Sequence, residues 1–310
     1  MLTRRKFIER SALAAATASV GCRTVLSQTP DIIDCHTHFY DPTRPQGVPW
    51  PGKNETQLYR RVLPKDYQRL ATPLGVTGTV VVEASAWLED NQWILDLAHD
   101  ELFIKGFVGH LNPGDVEFPK QVKRFARHAL FRGIRVSGAE VKRLNDLDRL
   151  YDLCLLAEHD LSLDVNGGVD SLPTVAAVAR AVPSLSIVID HVANVRLDGQ
   201  APPHAWLEGM RQAAEQRNVF CKVSGLVEGS GRRNDQAPRD LNFYRPVLDH
   251  VWRLFAPDRV IYGSNWPVSE LFANFATVHS LVKSYCVERE GDCDRFFADN
   301  ARAAYKWVRR

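Results

Sequence analysis

Short apolar runs alternate along this chain with stretches of helical periodicity. Residues 79–83 read Thr-Val-Val-Val-Glu and residues 187–189 read Ile-Val-Ile, apolar on both faces. Such runs suit parallel strands buried between helices and a barrel interior. The pattern predicts strands over 31–35, 79–83, 104–110, 133–136, 162–165, 186–190, 219–223 and 260–263. It predicts helices over 91–99, 117–129, 146–158, 172–182, 204–217 and 241–255. This alternation predicts an α/β fold, a single (β/α)8 barrel of the TIM type. A doubly wound open sheet is the rival, but no Gly-x-Gly-x-x-Gly turn follows the first strand.

Residues 39–63 break the rhythm. They hold Asp41, Pro42, Pro45, Gly47, Pro49, Trp50, Pro51 and Gly52. This loop leaves the first strand at the end where barrels place their sites. It is expected to cover the site with Trp50 towards substrate; a plain surface excursion is the alternative. The first 28 residues lie outside the pattern altogether. Arg4 and Arg5 open a basic segment, and Ser11 to Gly21 is a small-residue apolar run too short to span a bilayer. Together they read as a twin-arginine signal that exports the folded chain to the periplasm. Cleavage after Ser27 fits, and a weak lipidation box at Cys22 is the alternative. The expected organisation is a signal over 1–28 and one barrel domain over 29–310.

The chain has 310 residues, 45% hydrophobic and 25% charged, ample for one large core. A formal net charge of +2 without an aromatic-laced basic cluster argues against nucleic acid as a partner. Among the cysteines, Cys35 and Cys221 fall in strands and Cys154 in a helix. Cys286 and Cys293 are close enough in sequence to pair in an oxidising compartment, although spacing alone does not show the geometry.

Candidate chemistry gathers at strand ends. His36 and His38 are two apart at the end of the first strand, so simple alternation points them the same way. Two imidazoles on one face make half of a divalent metal site, or can bind a carboxylate or polarise a carbonyl. Asp190 and His191 end the sixth strand, with Asp190 placed to orient a neighbouring histidine. Asn265 follows the eighth strand in Gly-Ser-Asn-Trp-Pro; its amide can bind a ligand but cannot act as a base. Glu83 and Asp164 are the candidate bases, with structural ion pairing as the alternative. Arg135 and Lys222 are candidate anchors for a substrate carboxylate or a developing oxyanion. His110 and Asn112 are candidates for the mouth. His159 and His204 read as surface residues. Arg232, Arg233 and Arg239 read as solvated surface, although at the catalytic end.

Taken together, His36-x-His38, Asp190-His191, Gly263-Ser264-Asn265-Trp266-Pro267 and Phe297-Ala298-Asp299-Asn300-Ala301 followed by Tyr305 resemble the amidohydrolase superfamily. Phe39-Tyr40-Asp41-Pro42, Val82-Glu83-Ala84 and Cys221-Lys222-Val223-Ser224-Gly225-Leu226 resemble its lactonases of sugar acids and of a pyrone dicarboxylate. The resemblance spans about residues 31–307. It implies a hydrolase that opens a carbohydrate-derived or carboxylated lactone, with His36, His38 and His191 in the active site. It is compatible with one divalent metal, zinc or manganese, on those histidines, and equally with metal-free catalysis. Asn265 departs from the pattern, because many relatives carry aspartate there. Two alternatives stand beside hydrolysis. One is metal-dependent decarboxylation of an aromatic acid, weakened by the lack of a histidine at the end of the fifth strand. The other is a catalytically silent sugar-acid binding protein.

Overall fold

The structure is a computed structural model, and it describes residues 31–146, 150–289 and 293–307. Eight parallel strands follow one another in chain order, each paired with the next. They are β1 (Ile33–Thr37), β2 (Gly78–Val82), β3 (Ile104–Gly109), β4 (Phe131–Ser137), β5 (Ser162–Asn166), β6 (Ile187–Ile189), β7 (Val219–Val223) and β8 (Val260–Tyr262). The eighth strand comes back to the first. Thr37 forms a parallel bridge with Trp266, the His38 amide donates to the Trp266 carbonyl at 2.9 Å, and the Ser264 amide donates to Asp34 at 2.8 Å. The sheet is thus a nearly closed barrel, as the alternating pattern predicts.

Helices clothe the outside. Arg245–Phe255 shows why they form: Pro246 sits in the first turn, where its missing N–H leaves nothing unpaired. Val247, Leu248, Val251, Trp252 and Phe255 then recur at helical spacing on its buried face. The predicted helices are all present with shifted ends, except that residues 147–149 fall outside the described set. Helices Pro64–Ala71, Gly138–Asp146 and Phe275–Val287 add to them.

Two apolar clusters result. The larger fills the space between strands and helices. The smaller lies inside the barrel and joins Ile33, Cys35, Val80, Val82, Val108, Val188, Phe220 and Ile261 to Ala301, Ala304 and Tyr305. The C-terminal helix Asn300–Tyr305 therefore plugs the barrel against its own strands. A disulfide joins Cys286 to Cys293, while Cys35, Cys154 and Cys221 are free thiols. The expected export signal and Cys22 lie outside the described residues. No described helix is long and apolar enough to cross a membrane.

Candidate active site

Simple alternation does not account for β1. Its register with β2 slips between Asp34 and Thr37. Cys35 therefore joins the barrel-interior cluster while His36, its neighbour in the chain, also reaches inward to 3.3 Å from the Lys222 ammonium. Irregularities of this kind re-aim side chains beside active sites. Asp34 faces away from the interior and anchors the strand, accepting from Tyr67 Oη at 2.6 Å and from the Ser264 amide.

Beyond β6 the chain makes a left-handed turn. His191, Val192, Ala193 and Asn194 all have positive φ, at 52°, 46°, 59° and 46°. For L residues this conformation costs about 1–2 kcal/mol each, more for branched Val192. Fixed partners hold it: Trp206 Nε1 donates to the Val192 carbonyl at 2.8 Å, and Asn194 Nδ2 donates to Asn166 Oδ1 at 2.9 Å. The turn brings the His191 ring to the residue after β7, where Nδ1 bonds Ser224 Oγ at 2.8 Å. Gly225 follows at φ 64°, and a β-carbon there would lie 2.8 Å from His191 Cβ. Strain held in place by buried partners is typical of functional sites.

The histidine rings gather. His36 and His191 lie 4.3 Å apart between centroids, and His36 and His38 5.0 Å. Burial holds His191 down at about 4 and His38 at about 3, with Arg135 adding repulsion in both cases. Burial lowers His36 too, reinforced by Lys222. All three are neutral at pH 7. His38 Nδ1 meets the Val82 carbonyl at 2.9 Å, which places the neutral ring's proton on Nδ1 and a lone pair on Nε2.

Beneath the histidines lies a closed charge cluster. Lys222 Nζ donates to Asp164 Oδ2 at 2.7 Å and Asp190 Oδ1 at 2.8 Å, and all three side chains are sealed from solvent. Tyr305 Oη donates to Asp164 Oδ2 at 2.8 Å. Burial raises the Asp164 carboxyl; it also pushes Asp190 upward, but the Lys222 ammonium and His36 outweigh it and hold Asp190 well below the usual range.

Above the histidines opens a cleft of about 560 Å³ at the C-terminal ends of the strands. His38, His191, Asn265, Arg135 and Trp50 all line it. His36 sits below its floor, fully buried. The other sequence candidates go elsewhere. Lys222 and Asp164 pair with each other inside the barrel, and neither lines the cleft where an anchor and a base are expected. Glu83 is committed to Arg135 at 2.8 Å and faces a smaller neighbouring cavity. His110 bonds Asn112 at 2.9 Å and lines a separate cavity. Trp50 packs edge-on against His38 at 5.8 Å, so the long loop does form a wall of the cleft.

Residues 33–307 match the amidohydrolase family. The chain is 34% identical to an L-fucono-1,5-lactonase of Burkholderia ambifaria, over 87% of this chain and 91% of that one. It is 29% identical to an L-fucono-1,5-lactonase of Burkholderia multivorans, over 85% and 91%. A solved Burkholderia multivorans amidohydrolase with bound zinc superposes with a TM-score of 0.80 at 26% identity, over 90% of this chain and all of that one. This chain belongs to the amidohydrolase family.

In this amidohydrolase, the residues present fit a divalent metal. His36 Nε2 and Asp190 Oδ2 are buried without any hydrogen-bond partner. With His191 they form a group whose ligand atoms lie within 4.8 Å of one another. Two neutral imidazoles and a carboxylate are a zinc-like donor set. The charge fits as well, since Lys222 balances one of its two carboxylates and leaves the other over. The expected ligand His38 lies outside this group: its Nδ1 is committed to the Val82 carbonyl, and its Nε2 faces Asn265 Oδ1 at 3.2 Å.

One residue of this amidohydrolase site is absent from the candidates read from sequence. Glu228 sits in the short helix Leu226–Gly229 after β7 and lines the cleft. Its Oε1 accepts from Asn265 Nδ2 at 2.9 Å, and its Oε2 is buried without a partner. Burial pushes the carboxyl up to about 7, against a weaker lowering by its own backbone amide and by Asn265. Glu228 itself belongs to no motif; its sequence signal is its place two residues past Cys221–Leu226 at the catalytic end.

Proposed function

We propose that this amidohydrolase opens a sugar-acid lactone, or a related cyclic ester, by attack of water on the ring carbonyl. The observation that carries this is the convergence of His38, His191, Asn265 and Arg135 on one cleft, in a chain 34% identical to an L-fucono-1,5-lactonase. Arg135 gives Nε to Glu83 Oε1 and one terminal nitrogen to the Glu83 carbonyl, both at 2.9 Å. That bracing fixes the guanidinium plane and leaves donors for the oxyanion that develops as water attacks. Asn166 and Asn194 line the same cleft and suit the hydroxyls of a sugar acid. Trp50 supplies an apolar wall that excludes water. His36, Asp190 and His191 would hold a zinc or manganese ion, which when bound lowers the pKa of a water and polarises a carbonyl.

The test is a pH-indicator screen of aldonic-acid lactones, with and without added zinc or manganese. Release of one proton per lactone supports the reading. Tight lactone binding without turnover would overturn it in favour of a silent binding protein, the alternative that Asn265 favours. The N-terminal segment supports a second proposal, export through Arg4 and Arg5 to the periplasm. Replacing both with Lys should leave unprocessed precursor in the cytoplasm, and normal processing would refute it.

A further inference from the structure

An enzyme that hydrolyses a lactone needs a group to take a proton from water, and Asn265 cannot be that group. Glu83 is paired with Arg135, and Asp164 is sealed under Lys222. Glu228 differs from both. Among the described residues it lines the cleft, pairs with no cation, and keeps one carboxyl oxygen without a partner.

The link through Asn265 adds a second observation. His38 presents a lone pair at Nε2, and Asn265 Oδ1 stands 3.2 Å from it. Two acceptors facing each other repel. With its amide turned over, Asn265 donates an N–H to His38 and presents its carbonyl oxygen to Glu228. That orientation is satisfied when Glu228 is protonated and donates; the reverse orientation suits the ionised carboxylate. The amide can thus follow the proton on Glu228 without moving the strand. Asn265 has φ 58°, a left-handed conformation that asparagine tolerates well, and this aims its amide between the two groups.

We infer that Glu228 is the catalytic acid–base of this site, with Asn265 as its positioning residue. The inference rests on the lactone-hydrolysis reading above. The Glu228 carboxylate takes a proton from water as the water oxygen bonds to the lactone carbonyl carbon. The carbonyl electrons move onto oxygen and return as the ring C–O bond breaks. Glu228 then gives the proton to the departing ring oxygen and is again a carboxylate. The product is a hydroxy acid, and its new carboxyl releases the proton that an indicator detects. A carboxyl raised to about 7 suits both halves of this exchange near neutrality. Among the described residues, His38, His191, Arg135 and Arg233 line the same cleft, and Tyr244, its phenol raised by burial, lies near enough for the Glu228 charge to raise it further.

The experiment measures hydrolysis, from about pH 5 to 9, of the lactone that wild type opens fastest. Wild type is compared with Glu228→Gln and with the double variant Glu228→Gln/Asn265→Asp, each checked by thermal unfolding. Glu228→Gln should lower kcat about 10²–10⁴-fold, change KM little and abolish the acid limb of the pH profile. The double variant returns a carboxylate one side chain away and should regain at least about tenfold of the lost rate. Independently of turnover, wild type should show an infrared carboxylic-acid band that disappears as pH rises through about 7, absent in Glu228→Gln. Activity of Glu228→Gln within about threefold of wild type would overturn the assignment and leave the lactonase reading intact. So would a slow variant whose pH profile keeps its wild-type shape, since that marks a structural part only. Wild type that opens no lactone would overturn both.

Discussion

The barrel interior and the cleft above it use the same residue types to opposite ends. Inside, Lys222, Asp164, Asp190 and Tyr305 are sealed from water, and Lys222 spends its ammonium on two carboxylates and the His36 ring. In the cleft and at its floor, polar atoms are left open: Glu228 Oε2, His36 Nε2 and Asp190 Oδ2 have no partner among the described residues. A buried polar atom without a partner is costly, on the order of 1–3 kcal/mol. Where such atoms cluster beside a cleft, they mark what the protein holds ready for substrate, water or metal. Asp190 joins the two regions, with one oxygen on Lys222 and the other free. Asp164 and Glu228 are both carboxylates, but only Glu228 lines the cleft.

The sharpest way to break this comparison is to remove the interior cation. Lys222→Met should destabilise the fold by about 3–5 kcal/mol, because buried carboxylates lose their partner. Urea unfolding checks this, and a loss below about 1 kcal/mol would show that the interior does not depend on ion pairing. The cleft should respond in the opposite way. Arg135→Ala should lower kcat/KM about 10²–10³-fold with a far smaller stability change, as expected for loss of an oxyanion donor. A variant that keeps its activity but unfolds more easily would move Arg135 to the structural side.

Glu228 offers a test through pH. Its folded carboxyl is raised from 4.5 to about 7, so the fold prefers the protonated form. That contribution is present below about pH 4.5 and is lost as pH rises to about 7. Glu228→Gln cannot ionise, so its stability relative to wild type should rise across this window. The gain should be on the order of 2–3 kcal/mol and then level off. A constant difference between the two proteins would show that burial does not act on this carboxyl. The smallest effect is expected at the wall. Trp50→Ala should raise KM roughly tenfold, about 1.4 kcal/mol, with kcat less affected, in the same hydrolysis assay.

Much of this molecule was legible in its sequence, because periodicity is a local property. Runs such as Gly78–Val82 and Ile187–Ile189 must be buried on both faces, and eight of them alternating with helices leave few arrangements open. The chemistry at strand ends was also visible, since a barrel places every strand end at the same mouth. What sequence could not show was which partner each side chain finds. Lys222 and Asp164 carry the right charges for a cleft, yet curvature of the sheet brings them together inside it. Cys35 and His36 break the alternation because β1 slips against β2, and pairing between strands decides that slip. The left-handed turn from His191 to Asn194 follows no local preference; Trp206 and Asn166, both distant in the chain, impose it. Glu228 lies in a short helix two residues past the Cys221–Leu226 motif, and only the approach of Asn265, after β8, gives its carboxyl a setting. Sequence determined the barrel and the end where chemistry happens. Tertiary structure decided which charges are neutralised and which stay open, because that depends on distances between residues far apart in the chain.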